Sequence, residues 1–249
     1  MSIKTGIIIP DVHCPYHDKK AFRLALSIID KLKPEYVVIL GDFADFYAVS
    51  MHDKDPRRKL KLKWEIDQTN RALDKVEEVT KKSEVVFCEG NHETRLQRFI
   101  NKKAPELDSI VSVEREFEIK DRGWKWVPYR THYAIGKLNV THDYGRHGKY
   151  CAQQTLDAFQ HNIAFGHSHR ASVCYSGNLA GEKHVSASLG WLGDPEQVDY
   201  MHRAQLREWT HGVGLFYLEP NKNVHLHFVP FLNGKAVVPS KPVVMRRSH

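Results

Sequence analysis

The sequence predicts an α/β protein in which two sheets pack against each other and helices cover their outer faces. Apolar, strand-like runs alternate with amphipathic stretches up to residue 103 of the 249-residue chain, which is typical of a largely parallel sheet covered by helices. After residue 110 the pattern changes to short alternating segments with one further helical stretch, which indicates a second, strand-rich layer.

The first part of the chain is interpreted as three strand–helix pairs. Strands are predicted at 3–10, 35–40 and 84–88, and helices at 18–32, 58–82 and 92–103. Asp18 is a candidate N-cap for the first helix, and Pro34 ends that helix. A polar loop at about 43–57 separates the second strand from the second helix.

The second part is interpreted mainly as strands. Short segments around 115–119, 124–128, 132–135 and 138–142 are followed by a helix near 149–160 and by strands at 162–165, 171–175, 184–188, 213–218 and 224–229. We expect a single domain over 1–249, in which residues 235–249 form a loose basic tail.

Composition indicates a soluble globular protein with a modest basic excess. Hydrophobic residues make up 41% and charged residues 27%, and the formal charge is +7. This balance weakly favours polyanionic partners. The four cysteines lack CxxC spacing, which favours reduced thiols in a cytoplasmic protein. Neither a signal peptide nor a membrane span is expected, because no apolar run reaches about 18 residues.

Five polar clusters each follow a strand-like run directly. They are Asp11-Val12-His13, Gly41-Asp42, Gly90-Asn91-His92-Glu93, Thr141-His142-Asp143 and Gly166-His167-Ser168-His169. Ligands of α/β sheets bind outside the carboxyl ends of the strands, so these clusters are expected to converge. Their oxygen and nitrogen atoms are ligands for hard or borderline divalent metals.

Each cluster alone has a simpler explanation. Asp11 and His13 fit an ordinary turn or surface pair, Gly41-Asp42 fits a plain turn, and Asn91 fits the N-cap of a helix. The conjunction of all five, each at a strand end, favours a metal site over these separate explanations.

The motifs resemble those of the calcineurin-like metallophosphoesterase superfamily. That pattern is D-x-H, G-D-x-x-D, G-N-H-[E/D], a single His and G-H-x-H, and this sequence matches its core positions from residue 11 to residue 169. The resemblance implies a four-layer α/β/β/α sandwich with two mixed sheets and a dinuclear metal centre. Residues 170–249 carry no comparable motif.

The resemblance also assigns a role to each motif residue. One ion would be held by Asp11, His13, Asp42 and His169, and the other by Asp42, Asn91, His142 and His167. Manganese is the favoured metal, with iron, zinc or nickel as alternatives. His92 is the candidate general acid, and Asp45 is the carboxylate that would orient it.

One position departs from the best-known subfamily. Ser/Thr protein phosphatases of this superfamily carry an arginine after the second Asp of G-D-x-x-D, where this chain has Phe46. Residues near the motifs that could contact a phosphate instead are Arg95, Arg98, Arg146 and His147. Each of these fits a structural or solvent-exposed role equally well.

The sequence therefore predicts a metal-dependent phosphoester hydrolase. The missing arginine and the basic balance favour a phosphodiesterase that acts on nucleic acid or nucleotides. A phosphomonoesterase acting on proteins or small molecules is the alternative within this class. A non-catalytic nucleic-acid-binding or scaffold protein with the same fold is the alternative from another class.

Overall fold

The structure, a computed structural model, describes residues 2–55, 58, 61–198 and 206–239. Its five helices of four or more residues within these ranges are α1 (Lys19–Leu32), α2 (Leu62–Thr80), α3 (Thr94–Lys103), α4 (Val113–Glu116) and α5 (Cys151–Phe159). The strands are β1 (Lys4–Ile9), β2 (Tyr36–Ile39), β3 (Glu84–Cys88), β4 (Lys125–Val127), β5 (Tyr133–Ile135), β6 (Leu138–Thr141), β7 (Asn162–Phe165), β8 (Ser172–Gly177), β9 (Lys183–Ser188), β10 (Gly212–Leu218) and β11 (Val224–Pro230). None of the described helices has the length and apolar content needed to cross a bilayer.

The strands form two mixed sheets. The first has the order β11-β10-β1-β2-β3-β4, in which β1 to β4 run parallel and β10 and β11 form an antiparallel extension. The second has the order β5-β6-β7-β9-β8, with β6, β7 and β9 parallel. The carboxyl ends of β1, β2 and β3 therefore share one edge of the first sheet, and those of β6 and β7 share one edge of the second.

Alternate residues of the central strands point into different cores. In β1, Ile7 and Ile9 belong to the cluster that α1, α2 and α3 cover, whereas Ile8 belongs to the cluster between the two sheets. This is the period-two alternation of strand side chains. A third cluster packs α5 against the second sheet through Cys151, Ala152, Ile163 and Phe165. The predicted α/β/β/α layering is confirmed.

The structure corrects the prediction for 115–119. These residues were expected to form an alternating strand, but the one-turn helix α4 lies there and ends at Glu116. Ser112 caps α4 by accepting a hydrogen bond from the backbone N–H of Arg115 at 3.3 Å. Val113 and Phe117 are both buried, and their spacing of four residues is that of one helical turn.

The predicted loose tail is packed at its beginning. Ala236 and Val238 lie against the core beneath the helices, and the hydroxyl of Tyr217 donates to the carbonyl of Pro239 at 2.8 Å. Residues 240–249 lie outside the described part of the chain. The second helix begins at Leu62, inside the predicted range 58–82.

Candidate metal centre

The five polar clusters come together at the strand ends of both sheets. Among the described residues, four groups of side chains have donor atoms that all lie within 4.8 Å of one another, and two of them contain Asp42: Asp11, His13, Asp42 and His169 in one, and Asp42, His142 and His167 in the other. Asp42 belongs to both groups. Clusters that are distant in the sequence therefore lie close together in the structure, as predicted.

The first group joins the ends of β1 and β2 to the loop after β7. His13 Nε2 lies 3.0 Å from His169 Nε2, and His169 Nε2 lies 3.5 Å from Asp11 Oδ1. All four side chains of this group are buried. Their donor atoms thus face one another with little exposure to bulk water.

Asn91 completes the second group. His142 Nε2 lies 3.4 Å from Asp42 Oδ1, and the side-chain oxygen of Asn91 lies 3.0 Å from that same nitrogen. The same oxygen is also 2.6 Å from His167 Nδ1. Asn91 Oδ1 therefore stands between two imidazoles and beside the shared carboxylate.

The backbone is strained where these residues lie. Residues other than glycine rarely adopt a positive φ, and such strain clusters at functional sites. Five side chains of the two groups nevertheless sit on backbone with φ between 23° and 65°: Asp11, His13, Asp42, His167 and His169. Packing of the strand ends thus overrides local preference and turns these side chains towards a common point.

Two glycines permit the close approach of the loops. A Cβ at Gly90 would lie 2.2 Å from the backbone nitrogen of Asp42, and one at Gly166 would lie 2.3 Å from a carboxylate oxygen of Asp11. Neither position can accept a side chain unless the loops move apart. The glycine before Asn91 and the one before His167 are therefore required by the geometry of the two groups.

Neighbouring acceptors orient the imidazoles. His142 Nδ1 lies 2.9 Å from the carbonyl oxygen of Leu40, which leaves Nε2 facing Asp42 and Asn91. His13 Nδ1 lies 3.3 Å from Asp45 Oδ2, which leaves Nε2 facing His169. This arrangement is typical of metal-binding histidines, in which the second ring nitrogen bonds to a carbonyl or carboxylate.

Burial and mutual charges set the protonation of the two groups. Burial lowers the pKa of His13, with His92 adding to the effect, and burial lowers the pKa of His169 to about 3. Burial opposes ionisation of Asp42, but His142 and His92 hold its pKa well below the ordinary value. Burial lowers the pKa of His142, but Asp42 outweighs it and raises this pKa to about 10, so a cation bound to His142 would displace a proton.

The donor set fits two divalent cations. Two carboxylates, one amide oxygen and four imidazoles form two groups that share one carboxylate, and a carboxylate has two oxygens with which to contact two ions. The Nδ1 atom of His169 is buried without a hydrogen-bond partner among the described residues. Mixed O and N donors suit first-row transition metals such as manganese, iron and zinc.

His92 and Asp45 lie beside the first group, as expected from their motifs. His92 Nδ1 is 3.0 Å from the carbonyl oxygen and 3.4 Å from a carboxylate oxygen of Asp45. Burial lowers the pKa of His92, but Asp42 and Asp45 outweigh it and raise the pKa above the ordinary value. Asp45 thus contacts two histidines, because it also bonds to His13.

Arg95 contacts both members of this pair. Its Nη1 donates to the carbonyl oxygen of Asp45 at 2.9 Å, and its Nη2 lies 2.9 Å from His92 Nε2. The structure thus brings this predicted substrate residue to the site. Arg98 and Arg146 are exposed, whereas the ring of His147 lies 4.7 Å from that of His167.

Phe46 points away from the site. It is buried and stacks on Phe117, with ring centroids 5.7 Å apart, in the core beneath the helices. No cation reaches the site from this position. The position at which the protein-phosphatase motif has an arginine is therefore occupied here by a core residue.

Glu93 is a site residue whose role the sequence did not reveal. It is fully buried, and its carboxylate accepts three backbone N–H bonds of 2.8 Å, from Asp42, Ala44 and Gly90. Burial and the nearby charge of Asp42 raise its pKa to about 7. Glu93 ties the loop that carries Asp42 to the loop that carries Asn91.

A large cavity adjoins the His92 side of the centre. Its volume is about 740 Å³, and its wall includes His13, Asp45, His92, Arg95 and His169. The rest of the lining comes from Tyr16 and from residues 47–58 and 191–198, as far as they are described. The volume lies in the range of small-molecule sites.

Together, the fold and this site define a metal-dependent phosphoester hydrolase. A family model described as Calcineurin-like phosphoesterase matches residues 7–171, which is more than half of the chain. The chain belongs to the calcineurin-like phosphoesterase family.

Similar proteins and structures were found beyond the family match. The Gene 54 proteins of Mycobacterium phages D29 and L5 are each 24% identical, with 93% of this chain and 95% of each relative covered. Vacuolar Protein Sorting 29 from Cryptosporidium parvum is 17% identical, with 95% of this chain and 96% of that chain covered and a TM-score of 0.48. TT1561 of Thermus thermophilus is 9% identical, with 91% and 99% covered and a TM-score of 0.40.

Proposed function

We propose that this protein is a dinuclear metal-dependent phosphodiesterase that acts on nucleic acid or nucleotides. The observation that carries the proposal is the position of Asp42, which is shared by two groups of donor atoms and lies 3.8 Å from the imidazole of His92. A shared carboxylate with an acid beside it is the arrangement expected for in-line displacement at phosphorus.

In this proposal the ligand assignment follows the two groups. Asp11, His13, Asp42 and His169 hold one ion, and Asp42, Asn91, His142 and His167 hold the other. Manganese is the favoured metal, with iron, zinc or nickel as alternatives. Bound divalent ions would polarise the phosphoryl oxygens and lower the pKa of a bound water.

His92 acts as the general acid, and Asp45 orients it. The Nδ1 side of the imidazole faces Asp45, so Nε2 is the atom that presents a proton to the leaving oxygen. A guanidinium only donates hydrogen bonds, so the 2.9 Å contact of Arg95 with Nε2 needs this nitrogen unprotonated, and Arg95 must move away when Nε2 carries the proton. Arg95 is then free to contact a phosphate group of the substrate, as a guanidinium commonly does.

Separate observations support the finer assignments. The preference for diesters is supported by the burial of Phe46, which leaves the phosphatase arginine without a counterpart there, and by the charge of +7. A cytoplasmic location is supported by the four cysteines, all of which are free thiols. Arg146 and His147 are proposed as minor substrate contacts on the other side of the centre.

The test compares turnover of bis-p-nitrophenyl phosphate and p-nitrophenyl phosphate by purified protein with Mn²⁺. We expect the diester to be hydrolysed with the higher kcat/KM. A strong preference for the monoester would favour the phosphomonoesterase alternative. Wild-type protein that binds no metal and hydrolyses neither compound would favour the scaffold or nucleic-acid-binding alternative.

A further inference from the structure

The cavity beside His92 defines where a leaving group must lie, if the proposed function holds. An acid protonates a leaving oxygen only within hydrogen-bond reach, at about 2.6–3.2 Å. His92 lines this cavity together with Asp45 and Arg95. The group attached to the leaving oxygen therefore extends into the cavity, which we call the leaving-group cavity.

In the described part of the chain, three cations line the cavity, Arg95, Lys54 and Arg58, of which Arg58 lies over the rings of Tyr16 and Tyr47. Arg95 contacts His92 directly, and Lys54 lies over the ring of Tyr47, with its Nζ 4.9 Å from the ring centroid. The Lys54 ammonium donates to the carbonyl oxygens of Tyr47 and of Ser50, the latter at 2.6 Å. These two acceptors are neutral carbonyls, so they fix the position of the ammonium group without neutralising its charge.

Lys54 and Arg95 also repel each other. Partial burial lowers the pKa of Lys54, and the positive charge of Arg95 lowers it further, whereas the carboxylates of Glu65 and Asp45 raise it. Like charges held close together at the wall of a cavity are relieved when an anion binds between them. A phosphate is the anion that a guanidinium and an ammonium bind well together.

The remaining charges limit how much anion the cavity accepts. Three further carboxylates line it, those of Asp53, Asp55 and Asp194; Asp194 caps the N–H of Glu196 at 2.9 Å, and Asp55 also has an interaction partner. A long polyanion along the whole cavity would meet these carboxylates. A compact group with one phosphate, and with hydroxyl and amino groups to donate to carboxylates, matches the mixed lining.

We propose that the leaving-group cavity takes a nucleotide, with that nucleotide's own phosphate bound between Lys54 and Arg95. The preferred substrates are then short oligonucleotides with a terminal phosphate. This inference rests on the proposed function in one respect, namely that the leaving group lies at His92. A nucleoside monophosphate fits within about 740 Å³.

The test measures binding by calorimetry in EDTA, so that no metal-dependent turnover occurs. The probes are the dinucleotide ApA and its terminally phosphorylated forms pApA and ApAp, because either oxygen of the linkage can be the leaving one. For wild type, we expect one phosphorylated form to bind about tenfold tighter than ApA, the scale of a charge-assisted contact. Lys54→Met should bring this ratio of affinities close to one, and Lys54→Arg should keep it near the wild-type value.

Lys63→Met is the matched control, because Lys63 is exposed on α2 and pairs with Asp67. Its ratio of affinities should equal that of wild type. The inference is overturned if both phosphorylated forms bind within about twofold of ApA, or if Lys54→Met leaves the ratio unchanged. Hydrolysis of bis-p-nitrophenyl phosphate, whose leaving group carries no phosphate, tests the proposed function separately.

Discussion

The two sides of the metal centre differ in how far they are enclosed. On the cavity side, Asp45 and Arg95 link His13 and His92 through several hydrogen bonds, beside a cavity of about 740 Å³. On the open side, His142 is buried, but Arg146 and His147 beyond it are exposed. In the proposed function, proton transfer and substrate selection therefore belong to the cavity side, and the open side mainly holds its ion.

Removing the residue that both sides share should have the largest effect. Asp42→Asn should reduce turnover of every phosphoester by about 1,000-fold or more, because the charge that both groups share is lost. Metal content per protein, measured by mass spectrometry, should fall with it. Asp67→Asn, at the surface of α2, is the control. Intact activity in Asp42→Asn would contradict the dinuclear mechanism.

His92→Ala should affect the cavity side alone. Turnover of ApA, a substrate with a poor leaving group, should fall by about 100-fold or more, the scale of general acid catalysis. Bis-p-nitrophenyl phosphate should lose far less, because its leaving group needs no proton. Metal content should stay at the wild-type level, as it should in the exposed-residue control His132→Ala. Equal losses for both substrates would rule out His92 as the acid.

Glu93→Gln should damage the junction between the two loops. Three backbone N–H groups now donate to the Glu93 carboxylate, and the glutamine side chain would place its own N–H donor opposite at least one of them. Turnover should fall by about 10- to 100-fold, as for other residues that orient ligands. Glu78→Gln, exposed on α2, is the matched control. Unchanged kcat would show that the three hydrogen bonds do not position Asp42.

Arg146→Ala should produce a small change on the open side. An exposed charge contributes about 1 kcal/mol or less, so KM should rise no more than about fivefold. Arg95→Ala should raise KM and lower kcat together, since Arg95 contacts both His92 and Asp45. Steady-state kinetics on the same diester compares the two variants. A larger effect from Arg146→Ala would reverse the contrast between the two sides.

Glu65 should make the cavity wall sensitive to pH. Its carboxylate accepts bonds from the hydroxyl of Tyr16 and the N–H of Ala48, and burial raises its pKa from 4.5 to about 7. The folded state therefore holds the proton of Glu65 more tightly than the unfolded state does. The stabilisation that this proton gives to the folded state is full below pH 4.5 and is lost as the pH rises through about 7.

The measurement compares the Tm of wild type with that of Glu65→Gln, which cannot ionise. Between about pH 5 and about pH 8 the wild-type Tm should fall relative to the variant, because only wild type loses the proton. Other titrating groups cancel in this difference. A Tm difference that is constant over this range would exclude ionisation of Glu65 from the folded protein.

The sequence predicted the layers and the clustering well, because both depend on local patterns. Alternation in β1 assigns Ile7 and Ile8 to opposite faces, and a polar cluster after a strand marks its carboxyl end. The segment 115–119 misled because Phe117 and Ile119 alternate as in a strand, while Val113 and Phe117 also fit a helical turn. Short segments of this kind satisfy both periods.

Other features depended on tertiary contacts and left no local pattern. The role of Glu93 consists of bonds to backbone N–H groups of another loop, and such bonds do not depend on the identity of the residues that donate them. The contact of Arg95 with His92 follows from helix geometry, yet its contact with Asp45 bridges 50 residues. The cavity arises from loops whose positions only the folded chain determines.

The separation of the donors along the chain has a consequence for synthesis. His13 and His169 meet although they are 156 positions apart in the sequence. A nascent chain that has not yet extended past β7 holds Asp11, His13 and Asp42 but lacks the last two histidines. Such a chain cannot complete either group, because both draw a ligand from the loop after β7. Enzymatic competence therefore arrives late in translation, after most of the protein has left the ribosome.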